Sequence, residues 1–268
     1  DARKTRIAYD ASDELSIEDM VPDEAILVTI TTRGFIKRMP PREFRAQRRG
    51  GKGVIGQDMR DEDEIDHLFS TRSLKPILFF SDKGKVYSQK AYLIPAARRT
   101  DKGVSLHNIL PLEATERITA AVPVPNFDDA EFCTMVTRNG KIKRVALSEF
   151  ESVRPSGLIA IGLAQDDELG WVHLTVDKQH IVIITEQGQA LRFNSILVRS
   201  MGRPAAGVKA MNLRKGDHIS GMVTVTDGGE LLVVTANGYG KRTAMAAYNP
   251  KGRATMGVAT FNKTVAKV

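Results

Sequence analysis

The stretch Thr137-Arg-Asn-Gly-Lys-Ile-Lys-Arg144 has four counterparts elsewhere in the chain, and this repetition decides the predicted fold. The central glycines of successive stretches are 50, 56, 48 and 50 residues apart. Self-similarity at a fixed period of about fifty residues is typical of repeat architectures. The counterparts are Thr31-Thr-Arg-Gly-Phe-Ile-Lys-Arg38, Ser81-Asp-Lys-Gly-Lys-Val-Tyr-Ser88, Thr185-Glu-Gln-Gly-Gln-Ala-Leu-Arg192 and Thr235-Ala-Asn-Gly-Tyr-Gly-Lys-Arg242.

An apolar run precedes each of these stretches, and a segment in which polar and apolar residues alternate follows the glycine. The glycine supplies the positive φ that a tight turn between two antiparallel strands requires. Each repeat is therefore predicted to contain a β-hairpin. The first strands of the hairpins are predicted at Ile26–Ile30, Ile77–Phe80, Phe132–Val136, Ile181–Ile184 and Leu231–Val234.

A second glycine recurs 17 or 19 residues after the first, and another apolar segment follows it. Each unit then holds roughly four strands, which at this period predicts an all-β, propeller-like fold of five to six blades. We expect one domain over residues 1–268, with a linker or closing strand at 1–14 and the segment 7–24 able to supply closing strands. The predicted repeats are 15–64, 65–117, 118–168, 169–218 and 219–268, and the second glycines are Gly53, Gly103, Gly157, Gly207 and Gly257.

The net charge of +7 is unevenly distributed along the chain. The segments from the first to the second glycine of each unit, 33–52, 83–102, 139–156, 187–206 and 237–256, carry a net charge of +21, and the remainder carries −14. Equivalent segments of successive blades line up around a radial fold, so their charges form a curved cationic stripe. Such a stripe suits duplex DNA that bends around the protein. The alternative is a set of solvated hairpin faces.

The stripe contains few aromatic side chains, which favours duplex over single-stranded DNA and phosphate over base contacts. Arginines recur four residues before the second glycine, except in the third unit, where Arg154 lies one residue later. The residues predicted to contact DNA outside the densest loop are Lys37, Arg38, Arg45, Lys85, Arg98, Arg99, Lys102, Lys143, Arg144, Arg154, Arg192, Arg203, Lys241, Arg242 and Arg253.

The densest basic loop, Gln47-Arg-Arg-Gly-Gly-Lys-Gly53, resembles the heptapeptide box of the C-terminal domain of bacterial gyrase A proteins, the DNA gyrase family, at all seven positions. The resemblance covers essentially the whole chain. It implies a β-pinwheel, in which neighbouring blades exchange strands and DNA wraps around the rim to support negative supercoiling. That family usually has six blades, whereas the sequence contains five units. The box residues are Gln47, Arg48, Arg49, Gly50, Gly51, Lys52 and Gly53.

The resemblance also implies the partners. They are double-stranded DNA, the N-terminal region of the same polypeptide and the gyrase B protein of an A2B2 holoenzyme, in the cytoplasm at the nucleoid. ATP and magnesium would belong to the holoenzyme, and no cofactor is expected in this chain. The chain begins at Asp1 without an initiator methionine, so we expect it to be part of a longer protein.

We expect neither catalytic nor metal chemistry. Lys52 is followed by Gly53 rather than the Ser or Thr of a nucleotide-binding loop, and the five histidines lack metal-ligand spacing. Cys133 and Trp171 are interpreted as core residues, and the acidic run 61–64 as a solvated turn.

Three other functions stay open. The chain could be the equivalent domain of topoisomerase IV, although that family typically has a degenerate box. A propeller scaffold for an acidic protein also fits the charge. A propeller hydrolase is disfavoured, because no carboxylates or histidines converge at repeat-equivalent positions.

Overall fold

The computed structural model describes residues 17–44, 63–128, 132–226 and 228–261. A short helix, α1 (Ile17–Met20), precedes the β-structure. The strands are β1 (Ala25–Thr31), β2 (Phe35–Met39), β3 (Ile65–Arg72), β4 (Pro76–Ser81), β5 (Lys85–Lys90), β6 (Val104–Ser105), β7 (Ile118–Pro123), β8 (Phe132–Thr137), β9 (Lys141–Ala146), β10 (Leu158–Ile159), β11 (Leu169–Thr175), β12 (His180–Thr185), β13 (Gln189–Asn194), β14 (Val208–Lys209), β15 (Ile219–Thr224), β16 (Glu230–Val234), β17 (Gly240–Ala244) and β18 (Val258–Ala259). Short 3-10 helices lie at Pro41–Glu43, Ala91–Leu93, Leu106–Asn108, Leu147–Phe150, Ser195–Leu197 and Met245–Ala247.

The described strands form four antiparallel four-stranded blades and a fifth hairpin. The strand orders are β3-β1-β2-β6, β7-β4-β5-β10, β11-β8-β9-β14 and β15-β12-β13-β18, and β16 pairs with β17. In each complete blade the hairpin occupies the two middle positions. The fourth strand, which we call the exchanged strand, always comes from the following repeat. The predicted all-β, propeller-like fold and its exchange of strands are therefore confirmed.

Two kinds of glycine make this exchange possible. Gly140, in the β8–β9 turn, has a φ of 81°, as the hairpin prediction requires. Gly207, just before the exchanged strand β14, has a φ of 80°, and a Cβ atom there would lie 2.6 Å from the Ile142 carbonyl oxygen. The second glycine thus lets the exchanged strand lie directly against the hairpin of the preceding blade.

The hydrophobic core lies between successive blades. Val28 and Ile30 of β1 pack with Ile77 and Phe79 of β4, while the other face of β4 packs against the third blade. Because both faces of an internal blade are covered, its first strand is continuously apolar and does not alternate. Cys133 of β8 is fully buried in one of these clusters, as predicted, and burial raises the pKa of its thiol.

The blades are arranged with their exchanged strands outward. The first strands of the four blade orders, β3, β7, β11 and β15, contact one another in succession. These inner strands therefore line the centre of the arrangement. The exchanged strands β6, β10, β14 and β18 lie three positions away in each sheet and form its outer edge.

Sequence periodicity gave the correct period but placed the unit boundaries one strand too early. The predicted units begin at residues 65, 118, 169 and 219, where the inner strands start, yet each inner strand pairs with the preceding hairpin. Trp171 accordingly belongs to the third blade, and it packs partly buried against the core cluster shared with the fourth blade. In the segment 7–24, the described residues 17–20 form a helix and not a strand.

Candidate nucleic-acid interface

The described parts of the basic segments lie on the same side of every blade. Those at 83–102, 139–156, 187–206 and 237–256 run from the hairpin turn along the second strand, through a 3-10 helix, to the loop before an exchanged strand, and the first is described as far as residue 44. We call the residues 33–44, 83–102, 139–156, 187–206 and 237–256 the outer rim. In the four complete blades the second strand, which each basic segment contains, pairs with the outermost strand, so the positive charge is concentrated away from the centre.

Several predicted DNA-binding side chains are exposed on the outer rim. Arg98, Lys102, Arg154, Lys241 and Arg242 belong to exposed residues. Lys102 extends over the Phe35 ring, with its Nζ 3.7 Å from the ring centroid. The prediction omitted other exposed cations on or beside the outer rim, although the same charge count contains most of them: Arg42, Lys141, Arg199, Lys209 and Lys251.

Two lysines predicted to contact DNA are buried. The Nζ of Lys37 donates hydrogen bonds to the carbonyl oxygens of Arg99 and Asp101 at 2.6 and 2.7 Å, and to that of Arg98 at 3.3 Å. The Nζ of Lys143 donates to the carbonyl oxygens of Ala160 and Arg203. Burial lowers the pKa of both amines, that of Lys143 to about 8. Direct DNA contact by these two lysines is therefore corrected to a contact with loop carbonyls.

Arg144 is a third correction. Its side chain is 6% exposed, its Nη1 lies 2.7 Å from the Asp177 carboxylate, and its guanidinium stacks 4.0 Å from the Phe132 ring centroid. Two other predicted cations have acidic partners, although Lys85 is half-buried and Arg242 is exposed. Lys85 pairs with Glu113 at 2.5 Å, and Arg242 pairs with Glu230 at 2.8 Å.

Arg38 directly follows the buried Lys37 in its second strand, and Arg192 occupies the same position in the fourth blade. Both arginines connect one repeat to the next. Arg38 donates from Nε to the Ile94 carbonyl at 2.6 Å. Arg192 donates from Nη1 to the Met245 carbonyl at 2.9 Å. Ile94 directly follows the 3-10 helix Ala91–Leu93, and Met245 begins the 3-10 helix Met245–Ala247. Each acceptor belongs to the following repeat, so these half-buried guanidinium groups hold neighbouring repeats together.

The arginines four residues before the second glycine make the reverse connection. Arg203 donates to the Glu149 carbonyl at 2.8 Å, and Arg253 donates to the Leu197 carbonyl at 2.9 Å. Both acceptors lie in the 3-10 segment of the preceding repeat. The equivalent Arg99 is half-buried, and its carbonyl accepts from Lys37. The recurrence found in the sequence thus corresponds to a repeated contact between repeats.

The densest basic loop, with Arg45 and the seven box residues, lies outside the described residues. Their predicted DNA contacts therefore stay predictions. These eight residues are Arg45, Gln47, Arg48, Arg49, Gly50, Gly51, Lys52 and Gly53.

Two aspartates of the acidic turns are structural caps. Residues 61 and 62 of the acidic run 61–64 lie outside the described residues. Asp63 accepts hydrogen bonds from the Arg33 N–H and the Thr32 hydroxyl, both at 3.1 Å, and Asp217 accepts from the Gln187 N–H at 3.1 Å. Both aspartates are buried. Burial raises the pKa of Asp63, but the hydrogen bonds outweigh it and hold the pKa below its usual value. Each carboxylate closes a hairpin turn about thirty residues earlier in the chain.

Among the described residues, no group of three or more His, Cys, Asp and Glu side chains is placed to hold a metal ion. Burial lowers the pKa of His67 and His173. No helix within the described ranges has the length and apolar character needed to cross a membrane.

Strand-exchanged blades with cations concentrated along their outer edge define a β-pinwheel with a basic outer rim. The chain matches the family model for the DNA gyrase C-terminal domain, a β-propeller, at residues 25–72, 75–125, 132–173, 179–226 and 229–264. Each of the first four segments contains the hairpin and all or most of the inner strand of one blade, and the fifth contains the β16–β17 hairpin. The chain belongs to this family.

Relatives and solved structures agree with the family match. The chain is 40% identical over 264 residues to the gyrase A protein of Escherichia coli (strain K12), covering 98% of this chain and 30% of that protein. A structure of the DNA gyrase A C-terminal domain superposes with a TM-score of 0.76 at 28% identity, covering 91% of this chain and 81% of that one. The C-terminal domain of a DNA topoisomerase IV gives a TM-score of 0.72 at 32% identity, covering 90% and 73%.

Proposed function

We propose that the chain binds duplex DNA along the outer rim, bends it, and does so largely independently of sequence. The observation that carries the proposal is the common placement of the basic segments on the outer edge of successive blades. Exposed Arg98, Lys102 and Arg154 are suited to phosphate contacts, which position DNA without reading its bases. In the sequence, the box residues Gln47–Gly53 follow the described residues 33–44 of the first basic segment, and Arg48, Arg49 and Lys52 would add positive charge for DNA binding.

The chain spans about 30% of the length of the curated relatives it matches, so the activity of the whole protein is also a proposal. We infer that wrapping by this domain gives a gyrase its negative supercoiling activity. The N-terminal region of the same polypeptide and a gyrase B protein would be its protein partners, in the cytoplasm at the nucleoid. Strand cleavage and the use of ATP and magnesium would belong to those other parts.

The direct test measures bending by energy transfer between dyes at the two ends of a duplex. Added protein should shorten the end-to-end distance at low salt. If about eight to ten phosphates are neutralised, log K should fall with log salt with a slope of roughly −7 to −9. Absence of bending at low salt would contradict the proposal and favour a scaffold that binds an acidic protein.

The similarity to a topoisomerase IV domain makes that enzyme's domain the second candidate. The intact box favours gyrase, because the box is the resembled family's signature for wrapping. In the complete enzyme, replacing the seven box residues by alanine should abolish net negative supercoiling and preserve relaxation. A parent enzyme that relaxes DNA but never introduces negative supercoils, even with the intact box, would favour topoisomerase IV.

A further inference from the structure

The loop that precedes β6 is fixed at both ends to the preceding blade. At one end, the Arg38 N–H donates to the Pro95 carbonyl at 3.1 Å, and the Ala97 N–H donates to the Arg38 carbonyl at 3.0 Å. At the other end, β6 pairs with Phe35 and Ile36 of β2. The residues between these two attachments, 98–102, arch over β2 without a strand partner of their own among the described residues.

Lys37 fills the space under this arch. Its side chain rises from the middle of β2, and its residue is 1% exposed. Three carbonyl oxygens of the loop, those of Arg98, Arg99 and Asp101, converge on its Nζ within 3.3 Å. An ammonium group has three N–H donors, so one lysine can donate to all three carbonyls of this irregular loop. The Arg98 carbonyl also accepts from the Asp101 N–H at 3.1 Å, so the lysine matters most for the carbonyls of Arg99 and Asp101.

While the carbonyl groups of the loop point inward to Lys37, its two cationic residues are exposed to solvent. Arg98 and Lys102 are exposed residues, and the Lys102 ammonium lies over the Phe35 ring. The Arg98 N–H also donates to the Asp101 carboxylate at 2.9 Å, which tightens the arch. The loop therefore holds two exposed positive charges in a defined conformation on the outer rim.

The same arrangement recurs in the third blade. The Met201 N–H donates to the Arg144 carbonyl at 3.0 Å, and β14 pairs with Lys141 and Ile142. Lys143 lies between these attachments, is fully buried, and donates to the Arg203 carbonyl in the arch. The equivalent positions of the second and fourth blades hold Tyr87 and Leu191, so the lysine anchor is a feature of particular blades.

We propose that Lys37 is a positioning residue of the outer rim, whose ammonium group holds residues 98–102 in the conformation that presents Arg98 and Lys102 to DNA phosphates. Lys143 has the same role for the loop that contains Arg203. This inference rests on the proposed DNA binding. The two buried lysines then affect DNA binding by positioning the loops, and not by contacting DNA directly as their charge suggested.

The loop anchoring is tested first without DNA. Lys37→Met keeps the length and packing of the stem and removes the three donors. Amide hydrogen exchange should become faster in residues 98–103 while the strands of the blade keep their protection. Lys141→Met, which removes an exposed lysine from the outer rim, serves as the control and should leave exchange in 98–103 unchanged. Unchanged exchange in Lys37→Met would overturn the anchor.

The consequence for binding is tested with a double-mutant cycle on a short duplex. Lys37→Met alone should weaken binding about tenfold at low salt, on the order of one phosphate contact or slightly more. In an Arg98→Met/Lys102→Met background, Lys37→Met should change affinity less than about twofold, because the cations it positions are absent. An equal loss in both backgrounds would mean that Lys37 acts on DNA independently of the loop.

The two proposals fail in different ways. If the unmodified chain does not bind duplex DNA, the proposed function fails, and the exchange experiment still decides whether Lys37 anchors the loop. If the chain binds DNA but the cycle is additive, only the positioning role fails. Should Lys37→Met not fold, hydrogen exchange in residues 202–206 of Lys143→Met tests the equivalent anchor in the third blade, and unchanged exchange there would overturn the anchor.

Discussion

The carboxylate of Asp217 accepts a hydrogen bond from the backbone N–H of Gln187 at 3.1 Å, across 30 residues of chain. Gln187 lies in the turn between β12 and β13. Asp217 lies two residues before β15, the inner strand of the same blade. The aspartate therefore connects the hairpin turn to the inner strand of the same blade. Asp167 makes the equivalent bond to the Asn139 N–H at 2.9 Å.

Asp217→Ala should lower the free energy of unfolding by about 1–3 kcal/mol, because it removes the buried carboxylate that accepts hydrogen bonds from turn donors. The Asp217 carboxylate also accepts from the His218 N–H at 3.0 Å, so two backbone donors lose their partner. Urea unfolding followed by circular dichroism measures the change. Glu151→Ala, at an exposed acidic residue, is the control and should change stability by less than about 0.5 kcal/mol. Equal effects of the two substitutions would contradict the capping role.

Gly207→Ala should destabilise the chain more than Gly216→Ala, although both glycines have positive φ values of 80° and 73°. An alanine Cβ at 207 would lie 2.6 Å from the Ile142 carbonyl oxygen, whereas the Cβ at 216 would meet nothing within 4 Å. The left-handed conformation alone costs about 1–2 kcal/mol, and the forced approach at 207 adds about 1–3 kcal/mol. Thermal unfolding of the two variants gives the comparison. If Gly207→Ala were no worse than Gly216→Ala, the close approach of the exchanged strand would be wrong.

The sequence was sufficient for the hairpins, the period and the location of the positive charge, because these depend on local turn chemistry and on counting. The phase of the blades could not be obtained in this way. Whether the strand at 169–175 pairs with the hairpin before it or after it is decided by tertiary packing, and a periodic pattern is compatible with either.

The sequence also could not separate buried from exposed cations. Lys37 and Lys102 both lie in a basic segment, yet Lys37 is buried and Lys102 is exposed. The difference arises because carbonyls from residues 98–101, more than 60 residues later, close over the Lys37 amine. Alternation along β2 gives no information about a loop that arrives from the next repeat.

Lys143 should give the chain an alkaline pH dependence. Burial lowers its pKa from 10.5 to about 8 in the folded chain. Between these values the unfolded chain keeps a proton that the folded chain has released, so the free energy of unfolding rises with pH across this window. The difference between the unmodified chain and Lys143→Met should therefore increase in favour of the unmodified chain from about pH 8 to about pH 10.

Urea titrations at several pH values measure this difference. Lys141→Met, on the same strand, checks whether the loss of any lysine charge from β9 produces the trend. A stability difference that stays flat or decreases over the window would mean that the Lys143 amine is not desolvated in the folded chain.

Alanine substitution of Arg154 should affect DNA binding, whereas alanine substitution of Arg192 should affect stability. Arg154 is exposed on the outer rim, and Arg192 bonds to the next repeat. Arg154→Ala should reduce the magnitude of the salt slope of DNA binding by about 0.9, the share of one phosphate contact, with little change in stability. Arg192→Ala leaves the Met245 and Tyr248 carbonyls without their guanidinium donor. It should lower the free energy of unfolding by about 1–3 kcal/mol.

Salt-dependent binding and urea unfolding of both variants separate the two effects. If Arg192→Ala reduced the magnitude of the salt slope by about 0.9 and left stability unchanged, its guanidinium would contact DNA. In that case the connection between repeats would have to be made by the backbone alone.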